Sequence, residues 1–316
     1  AVHDIQSYTG SSAPYNFNGL VRHYFLRRGT HAADLQVNLL PKEDRREQSH
    51  EIAKRVRERL MPIARQFGAT IQVAEVPPGP PVLQTLVAEV YGPDAEERVA
   101  LAREIRTVMA GTPGVVDVDW YVEEPQRRID LAVDEEKAAL AGVPAGAVAT
   151  VVRMATRGES AGLLHDPRAA EDVPIVLQLP RAASSDLSAV TAVRLNGSTP
   201  VAVGELTRQV PSMVDTSLYR KNLQPVTYVT ADVAGEAESP VYAILAMNRR
   251  LADVKTPEGY GLEIFNAQQP DDTTRPAMKW DGEWQVTIEV FRDLGLAFAA
   301  VLVLIYILVV GWFRSF

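Results

Sequence analysis

The sequence predicts an α+β protein that carries one membrane-spanning helix. Three segments of about 40 residues alternate a strand pattern, a helix pattern and a second strand pattern. The residues between the second and third segments have a different pattern, which is typical of an inserted subdomain. Residues 294–313 contain no charged side chain. These three observations together predict the fold class.

The first strand–helix–strand unit follows a strand at 1–8 and a loop at 13–29 that is rich in aromatic residues and arginine. Residues 34–40 alternate apolar and polar positions, as a half-buried strand does. The next segment predicts a helix, because apolar residues recur at helical spacing: Ile52, Val56, Leu60, Ile63 and Phe67. Residues 70–76 are predicted as the closing strand. The prolines within 77–81 exclude a central strand there and predict a stiff connector.

The second and third units repeat this order. The second comprises a strand at 85–91, a helix that begins after Asp94 and a strand at 115–122. The third comprises a strand at 226–233, a helix at 240–254 and a strand at 260–265. A strand–helix–strand unit leaves one sheet face to be covered, so two units have to pair to close a core. We therefore expect a ferredoxin-like βαββαβ arrangement that is interrupted by an insertion at 127–224.

The insertion has its own elements. We expect strands at 128–133 and 175–179, helices at 134–140 and 144–156, and a hairpin at 193–203. Asn196-Gly197 would form a two-residue hairpin turn, because both types tolerate the positive φ that such a turn requires.

The apolar run from Leu294 to Phe313 matches the length of a membrane span. About twenty helical residues, each rising about 1.5 Å, cross a hydrocarbon core of about 30 Å. A buried helix of a soluble core would keep a polar face, and this run has none. Trp312 and Phe313 would form an interfacial aromatic belt, and Arg314 beside them predicts a cytoplasmic end. We expect the rest of the chain to be extracytoplasmic and further membrane helices to flank it on both sides.

Three segments resemble the resistance-nodulation-division (RND) efflux transporters, and specifically their multidrug permeases. Residues 129–152 resemble the start of the docking subdomain of that family, 220–235 resemble its return strand, and 260–264 resemble the strand before its membrane helix. The resemblance covers essentially the whole chain in the same order. The apolar run is more similar to the eighth membrane helix than to the second. The chain would therefore be most of the second periplasmic loop.

The resemblance implies a subdomain plan. It comprises a first porter subdomain at 1–78, a second porter subdomain in two pieces at 81–125 and 225–269, a docking subdomain at 126–224, an amphipathic connecting helix at 270–293 and a transmembrane helix at 294–313.

The resemblance also implies the function. The family exports amphiphilic organic compounds by proton exchange, as a homotrimer in the bacterial inner membrane that works with a periplasmic adaptor (membrane fusion) protein and an outer-membrane channel. No cofactor is implied. The proton-relay side chains would lie on other helices, since the only ionisable group between 294 and 313 is the Tyr306 phenol.

Two candidate sites follow from these expectations. The aromatic side chains Tyr15, Phe17, Tyr24 and Phe25 would contact small-molecule substrate, because rings supply apolar area without a fixed polar geometry. The arginines of the same loop, Arg22, Arg27 and Arg28, would favour anionic cargo. Asn196 and Gly197 would contact the partner proteins.

Other function classes lack sequence support. A net charge of −8 without a dense basic segment disfavours nucleic acid as a partner. No cysteine is present, and the five histidines have no metal-ligand spacing, so no metal site is predicted. No catalytic motif is present, so we predict no enzymatic activity.

Two alternatives remain open. One is a membrane-anchored periplasmic binding or assembly protein without transport. The other is a heavy-metal-exporting RND permease, which would line its path with methionines. Met61, Met109 and Met154 lie on predicted helix faces, where methionine is more often a core residue.

Overall fold

The computed structural model describes residues 2–14, 16–76, 82–234, 239–256 and 259–313. It divides into two compact units, one made of Ala1–Glu123 and Ser217–Phe316 and the other of Glu124–Thr216. The predicted α+β class is confirmed. Tyr15, Arg314 and the predicted proline connector lie outside the described residues.

The elements alternate along the chain. The strands are β1 (Val2–Thr9), β2 (Ala33–Leu39), β3 (Leu86–Tyr91), β4 (Val115–Trp120), β5 (Arg127–Val133), β6 (Glu159–Leu164), β7 (Val173–Leu177), β8 (Arg194–Asn196), β9 (Pro200–Ala202), β10 (Thr207–Met213), β11 (Arg220–Lys221), β12 (Gln224–Val233), β13 (Glu263–Phe265) and β14 (Ala277–Gly282). The α-helices are α1 (Phe17–Val21), α2 (Ser49–Gln66), α3 (Ala95–Ala110), α4 (Glu135–Leu140), α5 (Ala145–Arg157), α6 (Arg181–Ser184), α7 (Leu187–Ala192), α8 (Val203–Leu206), α9 (Pro240–Leu251) and α10 (Glu283–Phe313). Short 3₁₀ turns occupy Tyr24–Leu26 and Lys42–Asp44.

The first unit is built on a six-stranded sheet. Strand β3 lies between β12 and β14 and is antiparallel to both, while β4 pairs with the far side of β12. In each strand–helix–strand unit, the two strands are therefore separated in the sheet by a strand of the other unit. Strand β12 lies between β3 and β4, and β3 lies between β12 and β14. This is the split βαβ pairing of a ferredoxin-like fold. The predicted arrangement is confirmed for this sheet.

Alternation along the strands separates two faces of this sheet. One face packs against α3 and α9 and forms the core, with buried side chains that include Leu86, Val90, Ile105, Ile244, Met278 and Trp280. Since neighbouring residues of a strand point to opposite faces, Glu89, Asp232, Lys279 and Asp281 lie on the other face. That face meets residues from the first part of the chain through polar contacts.

The predicted helix at 270–293 is wrong in its first half. Residues 277–282 form β14, which pairs with β3, and the helix begins only at Glu283. Gly282 makes this junction possible: its φ is 81°, and a Cβ atom there would lie 2.4 Å from the Gln84 carbonyl oxygen. The predicted strand at 260–265 is reduced to β13 at the sheet edge.

The predicted strand at 70–76 is also wrong, because these residues form no ladder. Side chains hold this backbone instead. The Val73 N–H donates to Asp117 Oδ2 at 3.2 Å, and the Val73 carbonyl accepts from Arg57 Nη2 at 3.1 Å. These bonds satisfy the polar groups that a neighbouring strand would otherwise satisfy.

The second unit contains two-stranded ribbons and short helices. Strand β5 pairs with β10, β6 with β7, and β8 with β9, all antiparallel. A small core fixes the helices, with Val143, Val148, Leu195, Val203 and Leu206 buried. The β6–β7 ribbon is exposed along almost its whole length.

Helix α10 runs without interruption for 31 residues, as predicted for the segment after Trp284. At about 1.5 Å per residue it is about 46 Å long, which exceeds a hydrocarbon core of about 30 Å. Within the described part of the chain it is the helix long and apolar enough to cross a bilayer.

Candidate functional site

The aromatic loop contains α1 and the 3₁₀ turn at Tyr24–Leu26. Asn16 caps α1 by accepting a hydrogen bond from the Gly19 N–H at 2.7 Å, which fixes the start of this short helix. Phe17 is 51% exposed. Tyr24 and Phe25 are half-buried, and the Tyr24 hydroxyl donates to Gln72 Oε1 at 3.2 Å. The loop therefore presents only part of its predicted aromatic surface to solvent.

We use the term ionic seam for three arginine–aspartate pairs that join residues 16–76 to the polar face of the sheet. The pairs are Arg57–Asp117, Arg27–Asp119 and Arg22–Asp232. Sequence reasoning missed this seam. The signal was present in β4, where aspartates alternate with apolar residues in Val-Asp-Val-Asp-Trp and thereby predict an acidic sheet face.

Asp117 forms the most buried pair of the seam. Its side chain is fully buried, and its backbone has a positive φ of 52°. Arg57 Nε lies 3.0 Å from both carboxylate oxygens, and Arg57 Nη2 lies 2.9 Å from Oδ2. A buried carboxylate needs such a charge partner, so this pair anchors α2 to β4.

Asp232 is the second anchor and accepts three hydrogen bonds. Arg22 Nη1 lies 3.3 Å from Oδ2, Gln84 Nε2 lies 2.6 Å from Oδ2, and Thr85 Oγ1 lies 2.6 Å from Oδ1. Arg22 and Gln84 are 6% and 3% exposed and also bond each other. The Thr85 carbonyl in turn accepts from the Glu283 N–H at 3.2 Å. Arg22 of the loop is thus connected to Glu283, the first residue of α10, through the Asp232 and Thr85 side chains and one backbone hydrogen bond.

Arg27 forms the third anchor. Its Nη1 donates to Asp119 Oδ2 at 3.0 Å, and its guanidinium carbon lies 5.4 Å from the Tyr24 ring centroid and 4.9 Å from the Tyr121 ring centroid. The Tyr219 ring packs edge-on against the Tyr121 ring, with 5.2 Å between the ring centroids. Burial raises the pKa of Tyr24 to about 12 and also raises the pKa of Tyr121, so both rings are neutral at physiological pH.

Two of the three loop arginines are therefore already paired with carboxylates. The sequence-based expectation that Arg22, Arg27 and Arg28 favour anionic cargo is not supported for Arg22 and Arg27, since Asp232 and Asp119 neutralise them. Arg28 is exposed and donates to the Phe25 carbonyl at 3.2 Å.

A separate ionic cluster occupies the same sheet face. Lys221 contacts both Glu89 and Asp281, and Lys279 lies 3.5 Å from Glu89 and 3.6 Å from Asp281. The Tyr91 hydroxyl donates to Glu89 Oε2 at 2.9 Å. Burial raises the pKa of Glu89. Burial alone would raise the pKa of Asp281 too, but its hydrogen bonds with Glu89 and Lys221 lower it. This cluster holds β11 on the sheet.

The hairpin with Asn196 and Gly197 exists, but its turn differs from the prediction. Asn196 pairs with Pro200, so three residues connect the strands, and neither Asn196 nor Gly197 has a positive φ. Gly197 is needed for close packing instead. A Cβ atom there would lie 2.1 Å from the Ala141 carbonyl oxygen, which accepts from the Ser198 N–H at 2.8 Å.

Metal-donor side chains do not cluster in the described residues: no group of three or more His, Cys, Asp or Glu is placed to hold an ion. Met109 is fully buried in the core of the sheet, and Met61 and Met154 are half-buried on α2 and α5. Met109 is therefore a core residue.

The comparison with protein families decides the affiliation. A family model described as the AcrB/AcrD/AcrF family matches residues 12–310. The chain belongs to this family of RND permeases. The resemblance to RND efflux transporters inferred from the sequence is thereby confirmed.

Three matches share low sequence identity with this chain. The nickel and cobalt resistance protein CnrA of Cupriavidus metallidurans is 26% identical over 249 residues, which cover 73% of this chain and 22% of that protein. Two crystal forms of a heavy metal efflux pump match with a TM-score of 0.58 at 18% and 17% identity, and the match covers 89% of this chain and 28% of that chain. At this identity the structures show a shared fold. The chain spans roughly a quarter of the length of these relatives.

Proposed function

We propose that this chain forms the porter and docking portion of a proton-driven RND efflux permease that exports its cargo across the cell envelope. Membership of the AcrB/AcrD/AcrF family and a ferredoxin-like sheet continued by a membrane helix support this function. The two porter subdomains would be residues 1–78 and the sheet formed by 81–125 and 225–269. The docking subdomain would be 126–224.

One observation carries the mechanism. Every residue of the described sheet core lies at or after Leu86, so residues 2–76 contribute nothing to it. The contacts between these parts include the ionic seam and its hydrogen bonds. Ionic contacts can be replaced by water and counterions when two surfaces part, whereas opening an apolar core would expose it to water. The seam is therefore suited to opening and closing during transport.

Amphiphilic organic compounds are the first candidate for the cargo. The loop beside the seam carries exposed apolar groups, including Phe17, Leu20 and Leu26. Burying apolar area contributes about 25 cal/mol per Å² without a fixed polar geometry. The described residues offer no group of three metal donors.

Divalent metal ions are the second candidate. The names of the relatives favour them, since CnrA is a nickel and cobalt resistance protein and the matched structures are of a heavy metal efflux pump. A metal path would then use donors on other parts of the permease.

The assembly follows the family. We propose a homotrimer in the bacterial inner membrane, with this portion in the periplasm and α10 as one of several membrane helices. A periplasmic adaptor and an outer-membrane channel would complete the pump, and the loop after Asn196 would face them.

Susceptibility of cells tests the function and the cargo together. The intact permease is expressed in a strain without its own efflux pumps, and growth is measured in cationic and neutral amphiphiles and in Ni²⁺ and Co²⁺. Resistance to none of these compounds refutes the proposal.

Two matched variants test the loop. Phe17→Ala and Leu20→Ala remove side chains of equal exposure, 51% each, from the same helix. If the ring contacts cargo, Phe17→Ala narrows the resistance profile more than Leu20→Ala does. Equal profiles at normal expression would assign the loop a structural role only.

A further inference from the structure

Glu89 is a fully buried carboxyl group in the middle of the six-stranded sheet. It is 0% exposed, and its cross-strand neighbours are Tyr228 of β12 and Lys279 of β14. The titratable and charged groups that face it in the described residues come from β3, β11, β12 and β14, and they are Tyr91, Lys221, Tyr228, Lys279 and Asp281. Burial raises the pKa of Tyr91 and raises that of Tyr228 to about 12, so both phenols stay neutral. The carboxyl groups are therefore the ones that bind protons as pH falls.

Glu89 and Asp281 form a carboxyl pair. They hydrogen-bond each other, which requires one proton between them. Burial raises the pKa of Glu89, and the hydrogen bond with Asp281 raises it further. Burial acts in the same direction on Asp281, but its hydrogen bonds with Glu89 and Lys221 lower its pKa. Two carboxyl groups whose pKa values are pushed apart divide the roles, so the proton binds to Glu89 and Asp281 keeps its charge.

Lys221 is the cation of this cluster that can leave it. It contacts both carboxyl groups, and its side chain is 32% exposed, whereas that of Lys279 is 6% exposed. Burial alone would lower the pKa of Lys221, but its hydrogen bonds with Asp281 and Glu89 raise it, so Lys221 remains charged. A charged side chain at the surface can exchange its carboxylate partners for water.

Lys221 belongs to a strained hairpin, residues 220–224, which we call the Lys221 hairpin. Strand β11 pairs with β12 over two residues. The turn residues Asn222 and Leu223 have φ values of 49° and 68°, a region that residues other than glycine rarely adopt. Leu223 is 89% exposed and adds no apolar packing, while Asn222 Nδ2 donates to Gln269 Oε1 at 2.5 Å. The ionic contacts of Lys221 therefore offset the strain of this turn.

Lys221 and a proton on Glu89 oppose each other. Lys221 lowers the pKa of Glu89, and because linkage is reciprocal, a proton on Glu89 weakens the Lys221 contact. An adjacent opposite charge lowers the pKa of a carboxyl group by about 1 or more, so protonation should raise the ratio of released to bound Lys221 by about tenfold. The sheet itself stays folded, since the raised pKa of Glu89 means that proton binding favours the folded state.

We propose that the Glu89–Asp281 pair is a proton-binding site outside the membrane helix and that its protonation releases the Lys221 hairpin. Lys221 lies just after Ser217, where the chain returns from the second unit, and Asp281 lies just before α10. Proton uptake would therefore disconnect the returning segment from the start of the membrane helix. The site would respond to the pH of the medium whether or not the permease exports a cargo.

The test measures the mobility of the Lys221 hairpin as a function of pH. The chain has no cysteine, so Leu223→Cys adds one attachment site for a nitroxide label at an exposed position. Any cysteine elsewhere in the intact permease is replaced by serine. Electron paramagnetic resonance spectra of the purified intact permease are recorded from about pH 8 to about pH 4. We expect the ratio of mobile to immobile label to rise about tenfold as pH falls.

Four variants assign this response to the cluster. Glu89→Gln imitates the protonated carboxyl group, and Lys221→Met removes the cation, so both should give a mobile label at every pH. Glu263→Gln on β13 and Lys255→Met are matched controls, because both residues are exposed and lie outside the cluster. These two variants should keep the pH response of the unsubstituted protein.

Infrared difference spectra detect the proton itself. The carbonyl stretch of a protonated carboxyl group should appear over the same pH range as the mobile label and should be missing from Glu89→Gln. If Glu89→Gln shows the same band, or if the label mobility does not change with pH, the inference is wrong. A pH response that persists in Lys221→Met also overturns it and decides the question even if Glu89→Gln does not fold. Because no step of the test uses transport, a full response in a permease that confers no resistance would refute the efflux function and leave the proton site standing.

Discussion

Replacing Asp232 with alanine tests whether the ionic seam holds the aromatic loop. Asp232 accepts hydrogen bonds from Arg22, Gln84 and Thr85, and its side chain is 14% exposed. The Arg22 side chain is 7% exposed, so the substitution leaves a buried guanidinium without its carboxylate.

The magnitude follows from the burial of both charges. Removing one partner of a buried pair costs about 3–5 kcal/mol. Gln84 still accepts a bond from Arg22, which places the expected loss near the lower limit, about 3 kcal/mol. Asp232→Asn keeps the shape and one acceptor oxygen, so its expected loss is about 1.5 kcal/mol, the value of a hydrogen bond to a charged group.

Thermal unfolding of the detergent-solubilised protein, followed by tryptophan fluorescence, measures both losses. In a unit of this size, about 3 kcal/mol corresponds to a decrease in Tm of about 6–12 °C. Asp253→Asn, at an exposed position after α9, should change the Tm by less than about 2 °C. A Tm decrease below about 2 °C in Asp232→Ala would refute the conclusion that this carboxylate clamps the loop.

Three further predictions concern other parts of the chain. Gly197→Ala should destabilise the second unit by more than about 2 kcal/mol, because its Cβ would meet the Ala141 carbonyl oxygen at 2.1 Å. Burial raises the pKa of Glu89, so proton binding there favours the folded state. The free energy of unfolding should therefore fall as pH rises from about 4.3 through the raised pKa of Glu89, and Glu89→Gln should remove this pH dependence. Val290→Pro should break α10 at a cost of about 3 kcal/mol and abolish efflux by the intact permease.

Each of these predictions has a control and a contrary outcome. Gly146→Ala adds a methyl group in open space on α5 and should be neutral or stabilising, so equal losses in both glycine variants would contradict the packing argument. For Glu89, the free energy of unfolding is measured with denaturant at several pH values. An unchanged pH dependence in Glu89→Gln would contradict the assignment of that dependence to Glu89. For Val290, Val290→Ala keeps the helix, and resistance of the proline variant at normal expression would show that continuity of α10 is dispensable.

The β8–β9 hairpin shows that the type of a turn cannot always be predicted from its residues. Asn196-Gly197 has the composition of a two-residue turn with positive φ, yet the strands close over three residues. The glycine is required by the carbonyl of Ala141, which is more than 50 residues away in sequence. A close approach between distant segments and a local turn can both require a glycine, so the residue type alone does not distinguish the two.

The sequence by itself determined the class of the protein. Period-2 and period-3.6 apolar patterns located β3, α3, β4, β12 and α9, because each buries one face against a common core. The uncharged length of 294–313 predicted a helix long and apolar enough to span a bilayer, because the bilayer sets the required length. The order of the segments led to the RND family, which the family match confirmed.

Only the tertiary structure decided how the charges pair. Asp117, Asp119 and Asp232 appear in the sequence as the polar half of strand alternation, which is also what a solvated sheet face shows. Their arginines lie 60 or more residues away, so no local pattern connects them. The position of β14 beside β3 is likewise visible only in the tertiary structure, because it depends on pairing with a strand that is distant in sequence. Pairing between distant segments depends on the folded path of the chain, and the site depends on that pairing.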